Sequence, residues 1–231
     1  MENSKIPENY INRIFNQDCL EFMKTLPDNG VDLVVTDIPY NISQKNGGLR
    51  EIDYGDWDKN ITIEQVLKWT KEMIRVAKNG VYVFCADEQF SSIFEECKKA
   101  DMIVRKYCWT KPNPNIMNGQ HFWLSSAELC VMAKKRNTPF YGNCEKAYRM
   151  ASAPTVSQGR EHPNAKPIEV MADFIRMSSK ENEVILDPFS GGGSTLIACK
   201  MLKRNYIGCE ISKEYCDIAE QRIKSISNTL F

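Results

Sequence analysis

The stretch Glu183-Val-Ile-Leu-Asp187-Pro-Phe-Ser-Gly191-Gly-Gly193-Ser-Thr195 decides how the chain is read. Glu183–Asp187 is a short apolar run that ends on a carboxylate, the pattern of a strand buried on both faces. The glycines that follow remove side chains where the backbone must turn, and Ser194-Thr195 opens a helix. A strand, a glycine turn and a helix start aim free backbone N–H groups at a ligand and let it approach closely. Asn205–Glu210 reads as the next strand, and Glu210 lies nineteen positions after Gly191. An acidic side chain about 20 positions beyond such a loop suits ribose hydroxyls. A dinucleotide fingerprint would need its third glycine where Leu196 stands, so a dehydrogenase fits less well. A glycine turn that merely reverses the chain is the plain alternative.

Outward from this unit, strands and helices alternate, which predicts an α/β fold around a parallel sheet. Strands are predicted at Arg13–Gln17, Val31–Asp37, Val81–Cys85, Ile103–Trp109, Glu128–Ala133, Glu183–Asp187 and Asn205–Glu210. Helices are predicted at Asp18–Thr25, Ile63–Lys78, Glu88–Ala100, Pro167–Ser178, Gly193–Lys203 and Lys213–Ser225. Thr62 with Gln65 forms a capping box, and Asn79-Gly80 reads as a helix stop. Ile63, Val66, Leu67, Ile74 and Ala77 fall mainly on one helical face, and Asp87 and Ser212 are N-cap candidates. Asn41–Asn60 and Asn137–Lys166 lack periodicity, and loops of that length are usually functional or disordered.

The chain has 231 residues, 42% hydrophobic and 26% charged, enough for a single domain spanning 1–231. No apolar run approaches the roughly 20 residues that cross a bilayer, and no signal core follows Met1, so a cytoplasmic protein with no membrane partner is expected. Formal net charge is zero, which excludes a uniformly basic surface and leaves room for a local basic face. Nine cysteines with no pair at two-residue spacing, and only His121 and His162 to assist, argue for buried reduced thiols and against a metal site.

Val31–Asp37 ends in Asp37-Ile38-Pro39-Tyr40. A carboxylate and a backbone carbonyl at one strand end can each accept an N–H of an exocyclic amine. That pair holds a delocalised amino nitrogen and favours localisation of its lone pair, while an adjacent aromatic ring stacks on a base. Asp37, the carbonyl of Ile38 or Pro39, and Tyr40 have those types and that spacing. A strand end followed by a proline turn is the alternative for the tetrapeptide alone.

Together these stretches resemble the beta group of DNA amino-methyltransferases. Asp37-Ile-Pro-Tyr40 is similar to that family's Asp-Pro-Pro-Tyr motif, and Asp187–Thr195 to its Asp-Pro-Phe-x-Gly-x-Gly-Thr-Thr motif. His162-Pro-Asn-Ala-Lys-Pro167 is similar to its His-Pro-Thr-Gln-Lys-Pro element. Gln17–Glu21, Ile207–Glu210 and Glu214-Tyr215 continue the likeness, which spans nearly the whole chain except Asn137–Gly159. The resemblance implies a Rossmann-like seven-stranded methyltransferase sheet with one antiparallel strand, in circularly permuted motif order. It implies S-adenosylmethionine as cofactor, S-adenosylhomocysteine as product, and transfer to adenine N6 in DNA by base flipping and direct in-line attack. Asp37, Ile38, Pro39 and Tyr40 would then be catalytic. Asp18 and Cys19 would face the cofactor's adenine, and Asp37, Asp187, Phe189, Gly191, Gly193, Ser194 and Thr195 its centre and methionine part. His162 and Lys166 would enclose the amino-acid end, and Glu210 would hold the ribose. Ile38 departs from the first proline, Ser194 from a threonine, and Asn164-Ala165 from the middle of the His-Pro element.

Members acting on cytosine N4 commonly begin the catalytic motif with serine, so Asp37 favours adenine. Cytosine C5 chemistry needs an attacking thiolate after proline, and the chain has no Pro-Cys dipeptide. Trp109–Asn115 is placed by the resemblance on the target-base side, where Lys111 and Asn113 suit phosphate and base contacts. Arg136, Arg149 and Arg160 lie around a target-recognition insertion at about 137–160, where they suit phosphate neutralisation; an ordinary solvated charged face is the alternative. An insertion this short points to a short recognition site or to a homodimer, and a cognate restriction endonuclease is the other partner the resemblance suggests. The competing readings are cytosine N4, methylation of RNA or protein, and a non-catalytic nucleic-acid module.

Overall fold

The structure is a computed structural model that describes residues 5–41, 59–114, 123–143, 145–154 and 166–226. In chain order the elements are β1 (Arg13–Asn16), α1 (Cys19–Lys24), β2 (Val31–Asp37), α2 (Ile63–Val76), β3 (Ala77–Cys85), α3 (Asp87–Lys99) and β4 (Ile103–Thr110). They continue as β5 (Ala127–Lys134), β6 (Tyr148–Met150), α4 (Ile168–Ser178), β7 (Val184–Asp187), α5 (Ser194–Met201), β8 (Asn205–Glu210) and α6 (Lys213–Ser225).

Among the described residues, eight strands form a single sheet in the order β1-β8-β7-β2-β3-β5-β4-β6. Of these, only β5 runs antiparallel to its neighbours, β3 and β4. The expected single antiparallel strand is therefore present, and the described residues form eight strands rather than seven. The extra strand is β6, which pairs parallel with Cys108–Thr110 at the sheet edge. It lies inside the segment read as aperiodic, where three residues are too few to carry a period-two signal.

Alternation along the strands divides the core between two faces. Val34, Val81, Val83, Val131 and Leu186 pack against Phe22, Trp69, Met73 and Ile93 of α1–α3. Leu33, Val35, Tyr82, Phe84 and Ile185 pack against Phe174, Ile175 and Leu196 on α4 and α5, with Ile223 of α6. The chain leaves β2 through α2 toward β3 on one side, and leaves β7 through α5 toward β8 on the other. The adjacent strands β2 and β7 thus flank the switch point, whose carboxyl-end crevice is the ligand site of open α/β sheets.

Three local readings need correction. Asn79-Gly80 does not stop a helix: α2 ends at Val76 and both residues lie within β3. Gly80 is needed there for closeness, because a Cβ would sit 2.7 Å from the Ala133 carbonyl oxygen on β5. The buried face of α2 runs through Val66, Trp69, Thr70, Met73 and Val76, while Ile63 is exposed. Ala86, not Asp87, is the N-cap of α3, and its N–H is met by the Gln89 side chain at 3.0 Å. Thr62 and Ser212 do cap α2 and α6, accepting from Gln65 N and Tyr215 N. Among the described residues, no helix is long and apolar enough to cross a membrane.

Candidate active site

The two strands of the switch point each end in a carboxylate, half-buried at Asp37 and buried at Asp187. Thr36 Oγ1 donates to Asp187 Oδ1 at 2.6 Å, tying the end of β2 to the end of β7. Phe189 N donates to the same oxygen at 3.1 Å. Burial pushes the Asp187 carboxyl up to about 6, against the opposing effect of the Thr36 hydrogen bond.

Asp37 is held by a lysine. Lys166 Nζ, just ahead of α4, lies 2.5 Å from Asp37 Oδ2. Burial still pushes the Asp37 carboxyl up to about 6, because the nearby ammonium offsets the loss of water only in part. Its other oxygen, Oδ1, is buried with no hydrogen-bond partner among the described residues. A buried acceptor left open is uncommon, since it forgoes the bond that water would have made. The backbone of the motif is fixed on both sides. Ile38 N donates to Phe84 O at 3.2 Å, and Gln89 Nε2 donates to Pro39 O at 2.9 Å.

Glu128, at the start of β5, completes the cluster, and the sequence reading missed it. It receives Lys166 Nζ at 2.9 Å, Lys111 Nζ at 2.7 Å and the Tyr40 hydroxyl at 3.1 Å. Burial alone would raise it, but the two ammonium groups hold it well below the usual carboxylate range. Lys166 also sits 4.9 Å from the Tyr40 ring centre and 5.4 Å from that of Phe84. The available clue was a lone carboxylate opening the apolar run Leu129–Ala133. Cys85 is nearby, and burial pushes its thiol up to about 12, so it offers no thiolate at neutral pH.

The glycine loop connects β7 to α5. Gly191 and Gly193 both have positive φ, 46° and 81°. A Cβ on Gly193 would meet Ala219 Cβ at 2.9 Å, so this glycine serves contact with α6 as well as the turn. Glu210 is oriented from behind: Gly191 N donates to Oε2 at 2.9 Å and Ser212 N to Oε1 at 2.8 Å. Ser194 and Thr195 are buried at the head of α5. Asp18 is the N-cap of α1, accepting from Leu20 N at 2.9 Å and Glu21 N at 3.1 Å. Cys19 beside it is buried, which pushes its thiol up.

The strand ends therefore gather Asp18, Asp37, Lys166, Asp187 and Glu210 along one edge of the sheet. The expected DNA contacts are more dispersed. Lys111 is on this edge but is engaged by Glu128. Asn113 is a clip, donating to and accepting from the backbone of Ala153 at 3.2 and 2.9 Å. Arg149, on β6, donates to Asp173 at 2.7 Å and lines a separate cleft of about 920 Å³ between α4 and the sheet edge. Arg136 follows β5 at the opposite end of the sheet and bonds Asp101 at 2.9 Å. His162 and Arg160 lie outside the described residues.

Comparison with known proteins identifies the family. The N6_N4_Mtase family model, DNA methylase, matches residues 31–221. Type II methyltransferase M2.MboI of Moraxella bovis is 28% identical, with 94% of this chain and 89% of that protein covered. Type II methyltransferase M.HinfI of Haemophilus influenzae is 30% identical, with 94% and 69% covered. The crystal structure of the M1.HpyAVI–SAM complex has a TM-score of 0.73 at 25% identity, covering 91% of this chain and 98% of that one. From its switch-point carboxylates to its glycine loop, the chain belongs to the N6_N4_Mtase family of DNA methylases.

Proposed function

We propose that the protein is a site-specific DNA methyltransferase that moves the methyl group of S-adenosylmethionine to adenine N6. The observation that carries this reading is the open buried acceptor, Asp37 Oδ1, beside Tyr40 at the end of β2. A flipped base stacked on Tyr40 would bring an exocyclic N–H to that oxygen. Pro39 O already accepts one bond from Gln89, so the Ile38 carbonyl is the favoured acceptor for the second N–H. The favoured adenine over cytosine rests on Asp37 opening the motif.

The residues fit the cofactor. Glu210 presents a carboxylate held by Gly191 N and Ser212 N, suited to ribose hydroxyls, and Gly191 and Gly193 put no side chain where the methionine part would lie. Asp18, Cys19, Asp187 and Phe189 would line the remainder, with His162 and Lys166 at the amino-acid end. Bound there, S-adenosylmethionine supplies a methyl group on a positively charged sulfur. Asp37 orients the target nitrogen and stabilises the positive charge that grows on it, and Tyr40 fixes the plane of the ring. DNA is the partner this chemistry requires, with Lys111, Asn113 and Arg149 nearest the target side, Arg160 as a further phosphate contact and 137–160 as the recognition insertion. Arg136, at the far end of the sheet, would need another surface. The order of catalytic before cofactor motif fits a permuted arrangement. A cognate restriction endonuclease would accompany a Type II role like that of the relatives named above.

Asp37→Ala tests the reading. S-adenosylmethionine affinity should stay near wild type by calorimetry. The single-turnover rate should fall by about 10²–10³, the usual effect of losing a preorganised electrostatic contact. An unimpaired rate would remove Asp37 from the chemistry, and the adenine reading with it.

A further inference from the structure

Resting on the reading that the target's amino group donates to Asp37, we propose that Glu128 is a positioning residue for methyl transfer. It shares the Lys166 ammonium, so that Asp37 keeps negative charge for the target's amino group.

One ammonium is shared between two carboxylates. Lys166 Nζ is 2.5 Å from Asp37 Oδ2, 2.9 Å from Glu128 Oε2, and 4.9 Å from the centre of the Tyr40 ring. Lys166 is on Oδ2, which leaves Oδ1 to the target, but it draws on the negative charge of the same carboxylate and lies over the same ring. Lys166 therefore competes for the charge of Asp37 rather than for its open oxygen. Its side chain is 4% exposed, so water cannot share the ammonium, and a second anion must. Glu128 is that anion.

The two carboxylates are not equivalent. At Glu128, two ammonium groups overcome the effect of burial and hold the side chain ionised. At Asp37, burial prevails and the carboxyl is pushed up to about 6. The firmer negative charge is thus on Glu128, where Lys166 can rest without opposing the positive charge that grows on the methylated nitrogen. Glu128 is itself braced by Lys111 at 2.7 Å and receives the Tyr40 hydroxyl at 3.1 Å, so it also sets the tilt of the stacking ring.

Glu128→Gln keeps the shape and removes the charge, leaving Lys166 with Asp37 as its one carboxylate partner among the described residues. The assay uses whichever base the wild-type enzyme methylates, with DNA and S-adenosylmethionine saturating. The single-turnover rate should fall on the order of 10–100-fold, as expected when a reacting group is misplaced. Cofactor affinity should change by less than about threefold. The acid limb of the pH–rate profile should move to lower pH, because an undivided Lys166 favours ionised Asp37. A wild-type rate overturns the proposal. So does a slow variant whose acid limb is unmoved or whose cofactor binding is lost, since either marks a merely structural role. Should Glu128→Gln not fold, Glu128→Asp decides: its shorter carboxylate shifts the limb the same way by less, and an unmoved limb overturns the proposal. An inactive Asp37→Ala beside an unaffected Glu128→Gln sinks this inference alone, whereas an active Asp37→Ala sinks the reading beneath it.

Discussion

Replacing Asp187 by Asn should help the fold at neutral pH and lose that benefit in acid. Burial lifts the Asp187 carboxyl from 3.8 to about 6. The folded value is the higher one, so the folded protein holds this proton more tightly than the unfolded chain. The stability that this provides is fully present below about pH 4 and is lost as pH rises through about 6. Above that range the ionised side chain costs the fold roughly 3 kcal/mol relative to its neutral form. Asn carries no charge, and its carbonyl oxygen can keep the bonds from Thr36 and Phe189. Its amide brings new donors, which cost about 1–3 kcal/mol if they stay unmet. The net gain near neutral pH is therefore about 0–2 kcal/mol. The pH response is cleaner than the offset: between about pH 7.5 and 4.5, wild type should gain roughly 2 kcal/mol on the variant. For a chain of this size that is about 4–8 °C in Tm. Urea midpoints and melting curves of both proteins across that range measure it. A gap that does not change with pH refutes the argument that Asp187 is ionised at the fold's expense.

Two further changes follow from the same edge of the sheet. Gly193→Ala forces a φ of 81° on a residue with a side chain and sets its Cβ 2.9 Å from Ala219 Cβ. Thermal melts should show a loss of about 2–4 kcal/mol, summing the left-handed and overpacking costs, and a variant as stable as wild type would contradict the contact with α6. Glu210→Ala should weaken S-adenosylmethionine binding by about 1–3 kcal/mol in calorimetry, the cost of a lost charge-assisted hydrogen bond. Unchanged affinity would take Glu210 out of the cofactor site.

The cofactor half was legible because its signals are local. β7, the glycine turn, α5 and β8 follow one another within Val184–Glu210, and each is marked by an apolar run, a glycine or a carboxylate. Asp37–Tyr40 was legible for the same reason. What failed depends on neighbours distant in sequence. Gly80 looks like a helix stop, yet it is a glycine because β5 passes close beside it. Glu128 looks like an ordinary polar residue at a strand start. Its role comes from Lys166, Lys111 and Tyr40, which only the folded sheet brings to it. Arg136 and Arg149 are close in sequence, but the antiparallel direction of β5 sends Arg136 to the edge away from Asp37. Charge spacing along a chain carries no record of which end of a sheet a side chain will reach.

The central claim is tested most directly by the product. The protein is incubated with methyl-labelled S-adenosylmethionine and unmethylated DNA of mixed sequence, and the DNA is digested to nucleosides and separated. The account predicts that the label appears in N6-methyldeoxyadenosine. Label in N4-methyldeoxycytidine would contradict the assignment of adenine, and no label in DNA from protein that binds the cofactor would contradict the proposed reaction itself.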